Sequence, residues 1–375
     1  MKRINNLNKT SRYNLETYIL VAVLFIFSAV YIETGLASNL FKGLLIPICV
    51  NVIMAVSLNL TVGILGELSL GHAGFMAVGA FSGSIFSLMT SETITNVWIR
   101  FPLAFLIGGL FAAVVGILVG IPVLRLRGDY LAIVTLAFGE IIKNLLNNVY
   151  LAEDANGLHF ALSVESYNNI DFDPATKKVL INGAMGITGT PSSSNYIVGF
   201  VLIFITLIVI LNLVNSRTGR AIMAIRDNRI AAESIGINIT KYKLIAFVIS
   251  AFFAGIAGVL YSHNLASVVA TKFDYNLSIL ILVFTVLGGM GSMRGSVIAA
   301  VVLTALPEIF RSLSDYRMLF YAIILIVMMI AKNDENISRY IDKYLDKTCS
   351  WFKNFGEKLP YVKSRNSKTE GGEDK

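Results

Sequence analysis

Apolar residues fall in blocks near 18–34, 40–62, 72–90, 101–121, 129–149, 196–214, 243–264, 277–290, 295–310 and 317–331, each closed by a polar or Gly/Pro break. A bilayer core about 30 Å thick takes about 20 apolar residues to cross as a helix. The pattern therefore predicts an all-α, polytopic membrane protein with about ten transmembrane or partly re-entrant helices. The runs at 277–290 and 295–310 are short enough to be half-helices rather than full spans. The first run follows Lys2, Arg3, Lys9 and Arg12, and Gly35 and Ala37 mimic a cleavage site. A second apolar run opens at once, which favours an uncleaved first span over a signal peptide.

Composition agrees with this pattern. Of 375 residues, 55% are hydrophobic and 15% charged, against about 25% charged in soluble domains. A mean hydropathy of +0.70 excludes a soluble nucleic-acid-binding domain and a disordered chain. Cys49 and Cys349 do not suggest a disulfide framework, and His72, His159 and His263 form no metal-ligand spacing. No cofactor is expected.

The distribution of charge sets a predicted orientation. With the N-terminus inside, the inner segments carry 22 Lys/Arg and the outer segments six, as the positive-inside rule requires. Both termini are then cytoplasmic. The chain divides into an N-terminal segment 1–17, a membrane domain 18–331 and a charged tail 332–375. Segment 150–195 becomes an external loop rich in turn signals, and 215–242 a structured internal loop.

That internal loop has no helix breaker from Arg220 to Ile235, and Gly236 suits a helix C-cap. Ala221, Ala224, Asn228, Ala231 and Ile235 make one seam of mostly small side chains. Arg226, Arg229 and Glu233 lie on another face, with Arg229 and Glu233 spaced i, i+4. A small-residue seam suits close docking in a groove of another protein. The alternative is an amphipathic helix lying on the membrane surface.

Ile230-Ala231-Ala232-Glu233-Ser234-Ile235-Gly236 resembles the E-A-A-x-x-x-G loop of bacterial ABC-importer permeases. Three further stretches resemble one subfamily, the LivM-type permeases of branched-chain amino acid importers. They are Ser57-Leu58-Asn59-Leu60-Thr61-Val62-Gly63 with Gly66-Glu67-Leu68-Ser69-Leu70-Gly71-His72-Ala73; Leu124-Arg125-Leu126-Arg127-Gly128-Asp129-Tyr130 with Phe138-Gly139-Glu140-Ile141; and Gly288-Gly289-Met290-Gly291-Ser292. The resemblance covers about 40–331 in matching order. It departs at Glu67, where the family usually carries Gln, and at Ile230, where the pattern begins with Glu.

The resemblance implies a permease subunit in the bacterial plasma membrane that binds no ATP itself. Its implied partners are a homologous second permease subunit, two ATP-binding-cassette ATPases, an extracytoplasmic amino-acid-binding protein and the lipid membrane; nucleic acid is not among them. ATPase coupling would fall to Arg220, Ala224, Arg226, Asn228, Ala231, Ala232, Glu233 and Gly236.

Candidates for the translocation path are Asn59, Gly66, Glu67, His72 and Glu140. Glycines 63, 66, 71 and 74 interrupt an apolar run around Glu67 and His72. Irregular backbone at membrane depth survives only inside protein or against a water-filled cavity. Two readings of Glu67 stay open: an intramembrane functional carboxylate, or a hydrated residue of a cytoplasmic loop. Glu140 and Lys143, at i, i+3, form either a structural pair or a site at which Glu140 meets the ammonium group of a passing zwitterion.

The competing class is a self-contained secondary transporter with Glu67, Asp129 or Glu140 as its ion-coupling site. A membrane enzyme lacks any paired-His or Ser-His-Asp constellation. No G-x-x-x-x-G-K-[ST] phosphate loop occurs in the chain, so ATP hydrolysis is expected on a separate chain.

Overall fold

The structure, a computed structural model, describes residues 9–35, 38–126, 128–154, 157–169, 178–191 and 193–309, with positions 322, 323 and 326 beyond. Nine of the ten expected runs carry helices. These are α1 (Lys9–Glu33), α2 (Asn39–Asn59), α3 (His72–Met89), α4 (Val97–Val123), α5 (Asp129–Asn148), α7 (Tyr196–Asn215), α10 (Ile239–Ser262), α11 (Tyr275–Gly288) and α12 (Met293–Ile309). The run at 317–331, apart from three positions, and the charged tail lie outside the described residues.

Among the described residues, seven helices are long and apolar enough to cross a membrane. Two of the nine are not among these seven. Helix α5 carries Asp129, Glu140 and Lys143 in 20 residues, and α12 is described over 17 residues, up to Ile309.

Helix α10 is the centre of the packing, lying against α4, α3 and α2. Lipid tails are as apolar as leucine, so helices in a bilayer associate through close van der Waals contact between small side chains. The chain supplies them at the crossings. A Cβ added to Gly79 would sit 2.3 Å from Gly255 Cα, and one added to Gly258 would sit 2.0 Å from Met76 O. The outward faces keep large apolar side chains such as Leu106, Phe111 and Leu118 exposed, as a lipid-facing surface demands.

Helix α2 starts at Ser38, whose hydroxyl accepts from Phe41 N at 3.3 Å. It does not end at Asn59 but widens into a π-helical turn, Leu60–Leu65, closed by Gly66 at φ 78°. Only residues 66–71 separate this turn from α3.

The described apolar runs are helical as expected, but segment 150–195 is not. It forms β1 (Tyr150–Asp154), β2 (Gly157–Ala161), α6 (Val164–Asn168), β3 (Lys178–Asn182) and β4 (Ile187–Thr188). The first three strands make an antiparallel sheet in the order β2-β1-β3, with Ala152 opposite His159 and a bulge between Leu151 and Ala152. Strand β4 pairs with β5 (Ser267–Val268) after α10. Strand β1 alternates in burial from Leu151 to Asp154, a pattern that so short a segment reveals weakly in sequence. Lys178 Nζ ties the sheet to the end of α3 by donating to Leu88 O at 3.0 Å.

Candidate functional site

Segment 215–242 folds as two helices rather than one: α8 (Arg217–Asp227) and α9 (Arg229–Ser234). The break is Asn228, which adopts an extended backbone and accepts from Ala231 N at 3.0 Å. Its side chain competes with helical continuation by offering a cap, and the cap wins. Gly236 takes φ 85°, with Gly236 N donating to Glu233 O and Ile237 N to Ala232 O, the left-handed C-terminal cap its identity suggests.

The two faces of this helix pair differ. Ile222, Ile225 and Ala232 are buried, and Ile225, Ala232 and Ile239 form a small core with Ala224, Ile237 and Tyr242 against it. Ala231, Glu233 and Gly236 are exposed, and Ile230 and Ile235 are 81% and 75% exposed. Arg220 is exposed and donates to Asn215 O at 3.0 Å. Of the expected docking residues, Ala224 and Ala232 face the chain itself, while Asn228, Ala231, Glu233 and Gly236 face outward.

Arg226 links this loop to the membrane helices. Its guanidinium holds Asp227 through Nε and Nη2 at 3.0 and 2.9 Å, and Nη1 donates to Gly63 O at 3.2 Å, in the π turn. Its aliphatic stem covers Gly66, where an added Cβ would lie 2.7 Å from Arg226 Cγ. Two residues expected to serve separate functions, Arg226 and Gly66, are thus in direct contact.

Glu67 is neither a plain hydrated loop residue nor alone in the membrane. Its carboxylate pairs with Lys243 of α10, and the two side chains are 17% and 3% exposed. Such burial demands a partner, because an unpaired charge in a low-dielectric setting is costly. Asn59 is fully buried, with its amide committed on both sides. Oδ1 accepts from Gly291 N at 2.8 Å, and Nδ2 donates to Ser296 Oγ at 3.0 Å. It fixes the π turn to the glycine-rich turn before α12. His72 is also buried, with Nε2 3.0 Å from Ser57 Oγ and 3.5 Å from Ser250 Oγ, linking α3 to α2 and α10.

Glu140 belongs to a different place. It pairs with Lys143 and accepts from Tyr275 N at 3.1 Å, at the start of α11. It lines a narrow cleft with Leu70, Gly74, Asp274 and Ser278. The structure therefore brings together Asn59, Gly66, Glu67 and Arg226 at one junction and sets Glu140 apart.

Lys243, Ser57, Ser250 and Ser296 are site neighbours that sequence reasoning did not single out. The available signal was sign: Lys243 is a cation at the head of an apolar run and Glu67 an anion in another. Their separation of 176 residues hides the pairing.

Residues 40–331 match the family described as branched-chain amino acid transport system / permease component. The chain is 38% identical over 286 residues to the high-affinity branched-chain amino acid transport system permease protein LivM of Salmonella typhimurium, covering 74% of this chain and 65% of that protein. It is 37% identical over the same length to the LivM protein of Escherichia coli, with the same coverage. A probable LivM permease of Methanocaldococcus jannaschii is 27% identical over 248 residues, 61% of this chain and 62% of that protein. The matched region thus spans less than two thirds of the length of these relatives. No solved structure matches.

Proposed function

We propose, since the chain belongs to the permease-component family of branched-chain amino acid transport systems, that it is the membrane permease subunit of an ATP-driven importer for leucine, isoleucine and valine. It provides half of a translocation path shared with a homologous second permease. Two ATPase subunits dock on α8 and α9, and an extracytoplasmic binding protein delivers the amino acid. The chain is a transport subunit and not an enzyme.

The observation that carries the coupling assignment is the two-faced helix pair. One face seats on the chain through Ile222, Ile225 and Ala232, while Ile230 and Ile235 stand 81% and 75% exposed around Ala231. A soluble groove would cover such side chains; the bare helix pair alone does not. The relatives' printed names supply the substrate class. In this reading the N-terminus, α8, α9 and the charged tail are cytoplasmic and the outer sheet faces the binding protein.

A self-contained secondary transporter needs a membrane carboxylate free to exchange its ion. Glu67 is paired with Lys243 and Glu140 with Lys143, so neither suits that role.

The deciding experiment is leucine uptake by the assembled complex in proteoliposomes, with ATP maintained and the proton gradient collapsed. Uptake that persists and requires the ATPases supports the reading. Uptake by the purified chain alone, lost with the gradient, refutes it.

A further inference from the structure

The segment 60–67 is gripped at two points by one inner module. Arg226, at the end of α8, holds the Gly63 carbonyl and lies over Gly66. Lys243, in the early turns of α10, holds the next side chain along, Glu67. The last carbonyls of a helix have no partner within it, and a π turn shifts which ones these are. Arg226 therefore meets an acceptor that the irregular backbone leaves available. On its far side the same segment is fixed through Asn59 to Gly291 and Ser296.

The two grips differ in kind. Arg226 is 38% exposed at its side chain and divides its donors between Gly63 and Asp227, so its contact can yield as α8 moves. The Lys243–Glu67 pair is largely desolvated, and separating it would strand two charges away from water. One contact suits a moving point and the other a fixed one.

Resting on the permease reading above, we propose that Lys243 is a positioning residue of the transport cycle. Paired with Glu67, it anchors the end of segment 60–67, so that displacement of α8 delivered through Arg226 moves α2 and α3 instead of flexing the loop between them. Without the anchor, the ATPases still cycle, but their motion is absorbed in residues 66–71.

The test uses the complete complex in proteoliposomes, with leucine and the binding protein, and reads leucine transported per ATP hydrolysed. Glu67→Gln/Lys243→Met removes both charges, so no unpaired charge is buried and the complex accumulates normally. Its leucine-stimulated ATPase stays near wild type, while leucine per ATP falls about fivefold or more, the scale of an ordinary coupling between sites. The exchange Glu67→Lys with Lys243→Glu rebuilds the pair and recovers the ratio. A merely structural role would lower uptake and hydrolysis together and leave their ratio unchanged, which overturns the proposal. So does a wild-type ratio in the neutral double variant, or its failure to accumulate. Failure of the permease reading is distinguishable, because it shows as absent ATP-dependent uptake in the wild type.

Discussion

At the scale of single residues, the junction around Asn59, Gly66, Glu67 and Arg226 uses polar side chains to hold irregular backbone. Asn59 is the clearest case. Asn59→Ala takes the acceptor from the part-buried Gly291 N–H and removes the amide that donates to Ser296 Oγ, whose hydroxyl keeps its bond to Ser292 O. Each buried group left without a partner costs about 1–3 kcal/mol. Thermal unfolding of the detergent-solubilised chain should show a clear fall in midpoint. Asn59→Asp, which keeps the acceptor facing Gly291 N but loses the donor to Ser296, should also be destabilising. Gly236 tests a different property. Its φ of 85° disfavours a side chain by roughly 1–2 kcal/mol, while nothing lies within 4 Å of an added Cβ. Gly236→Val should therefore leave the membrane domain intact and loosen the end of α9. Weaker co-purification of the ATPases with unchanged accumulation of the permease is the expected result.

Between elements, the contrast is between helices that pack on one another and helices that present a face outward. Helix α10 has small residues at its crossings because α3 and α4 approach its backbone. Gly255→Leu would drive a side chain into Ala112 Cβ and the Gly108 carbonyl, 2.5 and 2.8 Å from where its Cβ must sit. Overpacking of this kind costs at least about 1–3 kcal/mol, and a backbone contact leaves little room to relax. The variant should fail to accumulate in the membrane, as measured by quantitative blotting. Helix α9 should behave in the opposite way. Ile230→Asp changes an exposed side chain, so permease accumulation should persist while ATPase binding falls in a pull-down. The matching change on the inner face, Ile222→Asp, buries a carboxylate in the chain's own packing and should reduce accumulation itself. Equal effects of the two aspartates would remove the distinction between the faces.

For the whole molecule, the testable property is orientation. The 22-to-6 division of Lys/Arg predicts the N-terminus and α8 inside and the outer sheet outside. With Cys49 and Cys349 replaced, Asn228→Cys should react with a membrane-impermeant thiol reagent only after the membrane is opened. Glu165→Cys on α6 should react in intact cells. Labelling of position 228 from outside would reverse the assignment of the coupling loop. Uptake with the proton gradient collapsed belongs to this scale too. There Glu67→Gln should lower accumulation and leucine per ATP, because Lys243 loses its partner, but the uptake that remains should stay ATP-driven, since the carboxylate does not carry the energy.

Some of this was settled along the chain itself. Membrane crossing follows from the length and polarity of each run, because a bilayer has one thickness and each helix must satisfy its own backbone. The glycine at 236 marks a helix end because few residues adopt its backbone. Pairings across the chain were not legible. Glu67 and Lys243 are ordinary charges in sequence, and only folding brings α10 beside the turn after α2. Asn59 looked like a residue for lining a path, because burial and hydrogen bonding cannot be read from identity alone. The sheet of β1, β2 and β3 is not legible in the sequence because short strands gain their order from neighbours they meet only once folded. Arg226 resting on Gly66 joins the loop to the membrane helices through a contact across 160 residues of chain. Local pattern sets what each segment can be, and tertiary packing decides which polar group meets which, since that depends on where several independent helices come to rest together.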